Sequence, residues 1–324
     1  MKEFERFFSL PLPPKFNLMA ATETAPASSR AAKLKAFLNA KCGNAEKARE
    51  ALAGEGFDLE VVQPQQITDQ IRKAVELGTR RILVAGGDGT IAAAAAIVAK
   101  KDTELAILPG GTLNHFAKDH NIPTDLAEAA LVAAEGVVVG ADIGYVNDCV
   151  FLNTSSIGAY VTFVRDREHL EKHVGYTIAS VAAMVKTLSE IRSFTVTLEV
   201  EGTKKTYRSS LVFIGVGERE LKLPTLGNRI ENGKRGLHVM IVRGRQKARL
   251  FAVALAAIAK GTKGAEQLPE FEDFIVDSCR IDLNRPRTTV GLDGELKKLQ
   301  TPLDYRIERD ALRLVVSNKK DANS

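Results

Sequence analysis

Cysteine is scarce in this chain, and long hydrophobic runs are missing. The 324 residues include three cysteines, Cys42, Cys149 and Cys279, whose spacing matches neither a disulfide framework nor a zinc site. This indicates a reducing compartment. The longest apolar run, residues 250–259, is shorter than the roughly 18 residues that a membrane-spanning helix needs. The charged and aromatic start of the chain does not resemble a signal peptide. The sequence therefore predicts a cytoplasmic protein.

Charge of one sign is only in small excess. The chain has 45 basic and 40 acidic residues, a net charge of +5 and a pI of about 9.0. This excess is too small for a nucleic-acid partner but suits transient contact with an anionic membrane surface, where each nearby basic residue adds about 1 kcal/mol. Basic residues cluster at 165–173 and 243–249. Either group could meet lipid headgroups at the inner membrane, or form a solvated face, which the interleaved acids of the first group favour.

Glycine is concentrated where it is most informative, in Gly86-Gly87-Asp88-Gly89-Thr90. An apolar strand-like run precedes this stretch and an alanine-rich helical run follows it. Without Cβ atoms the backbone can approach a phosphate closely, and the N-terminus of the next helix favours an anion there. An acid in such a turn repels phosphate unless it holds a cation or a sugar hydroxyl, so Asp88 indicates a nucleotide bound with Mg²⁺. An ordinary tight turn is the structural alternative.

Two further strand ends have the same pattern. One carries Gly111 and Thr112, with the threonine hydroxyl facing a phosphate, and the other runs from Asn39 to Gly43. Three such ends predict the carboxyl edge of a parallel sheet, where α/β proteins bind ligands. Far along the chain, Asp293-Gly294-Glu295 predicts a β-hairpin tip that brings a carboxylate to this edge.

The order of these motifs resembles a known family. Asn-x-x-(Ser/Cys)-Gly, Gly-Gly-Asp-Gly-Thr, Pro-x-Gly-Thr-x-Asn-x-Phe-Ala and Asp-Gly-Glu follow one another as in the bacterial soluble diacylglycerol kinase and lipid kinase family. That family shares its nucleotide domain with sphingosine kinases and, more distantly, NAD kinases. The resemblance covers residue 31 to the C-terminus, and the third motif favours the lipid kinases over the NAD kinases.

The resemblance implies ATP and Mg²⁺ as cofactors and a diacylglycerol-like lipid as the acceptor. It assigns Glu295 as the general base and Asp293 as a residue that orients it or helps to hold Mg²⁺; solvent-facing hairpin acids are the alternative. Asp88 is expected near the metal and phosphates, with Thr90 and Thr112 as hydroxyl donors. The predicted nucleotide-binding residues are Asn39, Gly43, Gly86, Gly87, Asp88, Gly89, Thr90, Gly111 and Thr112.

Asp142 matches an aspartate of a charge network near the cleft in relatives, although a helix-cap or turn acid is an equal alternative. The five histidines show no metal-ligand spacing, and no side chain is assigned to a resident metal ion.

Several positions depart from the family pattern. Ala92-Ala93 and His115 replace polar and acidic residues, and Cys42 replaces a common serine. Many relatives hold a structural Mg²⁺ through an aspartate in an Asp-Gly turn ahead of a strand. The corresponding stretch, residues 232–237, has no acid.

The pattern of apolar runs changes along the chain. Alternating strands and helices predict a parallel, doubly wound α/β sheet, and strand-like runs with hairpin turns predict a second, mostly β domain of β-sandwich type. Helices are expected near 174–191 and 246–259, and the last strand, 311–316, is expected to return to the first domain, as in relatives. The predicted division is an N-terminal extension (1–30), the nucleotide-binding domain (31–141), the β-rich substrate domain (142–305) and the returning strand (306–324).

These observations predict an ATP-dependent kinase that phosphorylates the hydroxyl of diacylglycerol or a similar lipid. A sphingoid-base kinase, a catalytically silent nucleotide-binding regulator and, more distantly, an NAD kinase remain alternatives. The oligomeric state, including a homodimer, also stays open.

Overall fold

The computed structural model describes residues 33–54, 56–159, 161, 193–221, 226–243 and 271–318. Residues Lys33–Ser324 group into one unit by their contacts. The helices are α1 (Ala45–Ala51), α2 (Ile67–Glu76), α3 (Asp88–Val98), α4 (His115–Asp119) and α5 (Leu126–Glu135). The strands are β1 (Leu34–Asn39), β2 (Phe57–Val62), β3 (Arg81–Gly86), β4 (Glu104–Pro109), β5 (Val137–Val146), β6 (Cys149–Phe151), β7 (Thr154–Gly158), β8 (Phe194–Val200), β9 (Thr203–Val216), β10 (Arg219–Leu221), β11 (Leu226–Arg229), β12 (Leu237–Arg243), β13 (Phe271–Val276), β14 (Ser278–Leu283), β15 (Arg287–Leu292), β16 (Glu295–Gln300) and β17 (Leu303–Val316).

The first half contains a parallel sheet in the order β2-β1-β3-β4-β17. Its strands alternate buried side chains between two faces: Phe37 and Val84 lie in a cluster with α2 and α3, whereas Leu38 and Ala85 lie in a cluster with α1 and α5. Side chains point to opposite faces along a strand, so such continuous apolar runs require cover on both sides. Helices on both faces make this part doubly wound, as predicted.

The parallel register brings three strand ends to one edge. Leu38 is level with Ala85, and Gly86 is level with Pro109. The turns that follow β1, β3 and β4 therefore lie side by side. This is the arrangement expected from the three motifs.

The second half is mostly antiparallel and surrounds its own apolar core, which includes Val239, Ile281 and Tyr305. β17 joins the two halves, because it pairs with β4 in the first and with β14 in the second. The last strand begins at Leu303, and its C-terminal part pairs with β4 of the first half. The predicted boundary at 141/142 falls inside β5, and the separate β-sandwich domain stays a prediction.

Some element bounds differ from those expected. The sequence predicts one strand over residues 274–283, but the structure has two, β13 and β14. The chain changes its pairing partner at Asp277: β13 pairs with β12, whereas β14 pairs with β8 and β17. α3 begins at Asp88 rather than Ile91, since Gly87 takes the extended conformation of an N-cap. β16 escaped prediction because its residues are mainly polar and exposed.

The predicted N-terminal extension, the helices near 174–191 and 246–259, and the basic cluster at 165–173 lie outside the described residues, as does most of the cluster at 243–249. Within the described ranges, no helix is both long and apolar enough to cross a membrane.

Candidate nucleotide and acceptor site

The ends of β1 and β3 are joined by side chains from two of the motifs. Asn39 Nδ2 donates to Thr90 Oγ1 at 2.8 Å, and Asn39 Oδ1 accepts from the Lys41 N–H at 3.0 Å. A Cβ on Gly86 would lie 2.6 Å from Thr90 Cβ, so the glycine makes room for the threonine. The Thr90 hydroxyl accepts from Asn39 and keeps its own proton free for another acceptor.

The two glycine turns lie in direct contact. The Gly110 N–H donates to the Gly86 carbonyl oxygen at 2.9 Å. A Cβ on Gly111 would lie 2.7 Å from Gly87 Cα and 2.9 Å from Asn114 Oδ1, so a larger residue there would separate the turns. Asn114 has a φ of 50°, and its amide binds the Gly111 N–H and carbonyl at 3.0 and 2.9 Å.

Asp88 fastens the second turn to the first. The backbone N–H groups of Asn114, His115 and Phe116, at the start of α4, lie near its carboxylate and favour its charged form. Burial raises the pKa of Asp88, against the effect of His115 and of these N–H groups. The carboxylate is thus already engaged by the protein, and the metal contact predicted for Asp88 stays a prediction.

The N-terminus of α3 offers donors to an anion. The first N–H groups of a helix have no partner within it, and the helix dipole is positive at that end. Gly87 and Gly89 have no side chain that could cover these groups. Thr112 is exposed on the neighbouring turn, and Gly43 lies next to Gly110, its Cβ position 3.7 Å from the Gly110 carbonyl oxygen. The predicted nucleotide-binding residues therefore lie on neighbouring turns at one edge of the sheet, and their binding of a nucleotide stays a prediction.

Asp293 and Gly294 form the tip of the hairpin between β15 and β16, as predicted. Asp293 has a φ of 47°, and its two carboxylate oxygens accept the backbone N–H groups of Leu152, Asn153 and Thr154 at 2.7, 2.8 and 2.9 Å. Burial raises the pKa of Asp293, and the N–H groups oppose it. Asp293 therefore holds the hairpin against the β6–β7 turn. Both roles that the resemblance implied for it, orienting Glu295 and helping to hold Mg²⁺, stay predictions.

Glu295 follows on the same hairpin, and its side chain reaches the first glycine turn. A Cβ on Gly89 would collide with Glu295 Oε1. Within the described residues, the Glu295 carboxylate has no hydrogen-bond or ion-pair partner, and Glu295 is exposed. A free carboxylate beside the N-terminus of α3 can accept a proton from a group placed there.

Among the residues that the structure describes, Asp142 belongs to a hydrogen-bond network that does not include Asp88, Asp293 or Glu295. It is 3% exposed and accepts hydrogen bonds from Arg235 and from the Asp310 N–H. Burial acts to raise the pKa of Asp142, but the Arg235 hydrogen bond, the Asp310 N–H and the charges of Arg235 and Arg229 together outweigh it, so the pKa lies below the ordinary value. Its hydrogen bonds among the described residues do not reach the glycine turns.

Residues that the motifs did not reveal connect the two halves. Arg219, which is 2% exposed, pairs with Asp119 at the end of α4, Nη2 to Oδ2, at 2.8 Å. Burial, and then the charge of Arg229, lowers the pKa of His120 to about 4, so this histidine is neutral at pH 7. Arg219 stands among ordinary charged residues in the sequence, and no local signal marks it.

The acidic side chains Asp88 and Asp293 face backbone N–H groups of the protein. No group of three or more potential ligand side chains occurs in the part of the chain that the structure describes.

Residues 33–146 match the model of the diacylglycerol kinase catalytic domain. The chain is similar to the "Probable lipid kinase YegS-like" of Klebsiella pneumoniae, 34% identical over 56% of this chain and 63% of that protein. It is also similar to the "Probable lipid kinase YegS" of Escherichia fergusonii, 29% identical over 80% and 88% of the two chains. The match to the Klebsiella protein thus spans somewhat less than two thirds of its length.

The fold is similar to that of a diacylglycerol kinase from Bacillus anthracis, with a TM-score of 0.62, 19% identity and coverage of 89% of this chain and 97% of that one. The resemblance inferred from the motifs is confirmed to this extent: residues 33–146 are similar to the diacylglycerol kinase catalytic domain. The chain is similar to bacterial proteins named as probable lipid kinases.

Gly89→Ala is expected to lower phosphate transfer by about 100-fold, because the new methyl group displaces the Glu295 carboxylate and a shift of about 1 Å at a reacting group costs that much. The helix itself should tolerate alanine well. Turnover and thermal stability of the variant would be compared with those of Gly54→Ala, where no atom lies within 4 Å of the new Cβ. Equal turnover in the two variants would contradict the proximity of Glu295 to the reaction.

Proposed function

We propose that this protein is a lipid kinase that transfers the γ-phosphate of ATP to the hydroxyl group of diacylglycerol or a similar lipid. The observation that carries this proposal is the free Glu295 carboxylate against Gly89, at the N-terminus of a helix that opens from a glycine turn. The site thus combines an anion cradle with a base. The matching domain and the lipid kinase relatives support a lipid acceptor.

ATP would lie with its phosphates against the two glycine turns. The N–H groups at the start of α3 and the hydroxyls of Thr90 and Thr112 would donate to phosphate oxygens. Asn39 and Gly43, on the turn after β1, would contact the nucleotide from the other side. Phosphoryl transfer depends mainly on positioning and on charge stabilisation, and these groups supply both. Mg²⁺, entering with ATP, would neutralise the phosphate charge.

Glu295 would accept the proton of the acceptor hydroxyl. The hydroxyl oxygen would bond to the γ-phosphorus while the bond between that phosphorus and the oxygen of the departing ADP breaks. A positioned carboxylate contributes about 100- to 10,000-fold to such a step. Asp293 would keep this base in place through its three backbone hydrogen bonds. The lipid would approach from the β-rich half, with its tails still in the membrane and basic side chains meeting the headgroups.

Radiolabelled phosphate transfer from ATP and Mg²⁺ tests the proposal. The acceptors would be diacylglycerol, a sphingoid base and related lipids in mixed micelles, with NAD as a further acceptor. Labelling of diacylglycerol is the expected result. Labelling of the sphingoid base alone would move the acceptor to a long-chain amino alcohol, and labelling of NAD alone would make the protein an NAD kinase. Binding of ATP without labelling of any acceptor would show a catalytically silent regulator instead.

A further inference from the structure

Arg235 holds two carboxylates that come from different strands. Its Nε donates to Asp142 Oδ2 at 2.9 Å, and its Nη2 contacts Asp142 Oδ1 and, at 2.8 Å, Asp310 Oδ1. Asp142 belongs to β5, Asp310 to β17, and Arg235 to the loop before β12. One guanidinium thus ties the central strands to a loop of the β-rich half.

The acids are placed by an irregularity in the sheet. The register between β5 and β17 shifts between Glu308 and Leu312, and Asp310 takes a φ of 52° inside this bulge. A bulge leaves a backbone group outside the ladder, and the Asp310 N–H accordingly donates to Asp142 Oδ1 at 3.0 Å. A Cβ on Gly140 would collide with Asp310 Oδ1, so the glycine opposite leaves room for this acid.

The loop that carries Arg235 is itself fixed to the turn after β9. The Glu218 N–H donates to the Lys234 carbonyl oxygen at 3.0 Å, and the Lys234 N–H donates to Glu218 Oε2 at 2.7 Å. The adjoining Arg219 pairs with Asp119 at the end of α4. The cation at Arg235 therefore lies in a chain of contacts that runs from the bulge to the helix behind the second glycine turn.

A structural divalent cation does not fit this place. Such an ion needs carboxylate or carbonyl oxygens with free lone pairs, but both oxygens of Asp142 already accept from Arg235, and one also accepts from Asp310. The stretch 232–237, where relatives carry an acid for Mg²⁺, supplies Arg235 instead. The positive charge at this place is therefore the guanidinium of Arg235, a side chain of the protein itself.

We propose that the guanidinium of Arg235 takes the place of a structural divalent cation, so that this junction is held together without a metal. A forked, permanently charged group suits two neighbouring carboxylates, because it can donate to both at once. Its side chain is 44% exposed, whereas Asp142 below it is 2% exposed. Removing Arg235 would leave a buried carboxylate without its counter-charge, which is a costly state.

The test is the melting temperature of the full chain, measured without nucleotide or lipid, after chelation and after addition of millimolar Mg²⁺ or Ca²⁺. The wild-type melting temperature is expected to be the same in all three conditions. Arg235→Ala is expected to melt about 5 °C lower after chelation and to recover part of that loss with Mg²⁺ or Ca²⁺, because its two carboxylates are then open to a metal. Arg235→Lys keeps the positive charge but loses the forked N–H donors of the guanidinium. Its melting temperature should lie between those of the wild type and Arg235→Ala, and should not change with metal.

Arg309→Ala is the matched control. Arg309 binds both oxygens of Asp277 from the same strand β17, but this pair is exposed on both sides. Its loss should lower the melting temperature by about 2 °C or less, with no response to metal. A wild-type protein that melts lower after chelation would overturn the proposal, as would an Arg235→Ala variant as stable as the control. If Arg235→Ala does not fold, the melting temperatures of the wild type and of Arg235→Lys, after chelation and with added metal, still test the proposal. The result does not depend on which substrate the protein phosphorylates.

Discussion

Glu295→Gln is expected to reduce phosphate transfer by roughly 100- to 10,000-fold, the range that a positioned general base contributes. Glutamine has nearly the size and shape of glutamate, so it should keep the place beside Gly89. It cannot take a proton from the acceptor hydroxyl at neutral pH. The loss should therefore appear in the turnover number rather than in the affinity for ATP.

Two measurements check this expectation: lipid phosphorylation under single-turnover conditions, and ATP binding by calorimetry. Glu201→Gln is a suitable control, because Glu201 is likewise an exposed glutamate in a hairpin, at the turn between β8 and β9. Unchanged turnover in Glu295→Gln would remove Glu295 as the base. Loss of ATP binding together with turnover would instead assign it to holding the nucleotide.

The second large effect concerns stability. Asp293→Asn is expected to lower the free energy of unfolding by about 2–3 kcal/mol, because the amide would turn its NH₂ toward one of three backbone N–H groups and leave that buried donor unpaired. Asparagine is well suited to the φ of 47° at this position. The loss would therefore report the hydrogen bonds rather than backbone strain.

Denaturant unfolding would measure this loss, with Asp58→Asn as the control. Asp58 pairs with Lys35 at 3.1 Å, but its side chain is 59% exposed, and such pairs contribute about 1 kcal/mol or less. We also expect Asp293→Asn to reduce phosphate transfer at temperatures where it is folded, since the hairpin that positions Glu295 would be loosened. Equal stability of the two variants would contradict the anchoring role of Asp293.

Much of the first half was predictable from local patterns. The strand ends at Asn39, Gly86 and Pro109 follow apolar runs and precede helical ones, so periodicity and glycine placement reveal them. The hairpin tip at Asp293-Gly294 was predictable for a similar reason, because an Asp-Gly pair at the end of a strand-like run is a local turn signal. Strand β16 and the break between β13 and β14 at Asp277 could not be predicted in this way. Exposed polar strands and changes of pairing partner leave little trace in a single sequence.

The sequence by itself determined the chemical groups of this protein: the glycine turns, the carboxylate of Glu295 and the order in which they follow along the chain. Only the tertiary structure decided which of them meet. Asp293 binds the N–H groups of residues 152–154, Glu295 reaches Gly89, and Arg235 reaches Asp142. These contacts join residues far apart in the chain, and they depend on strand order and register. Both are set by the burial of whole sheet faces and not by the residues next to each site.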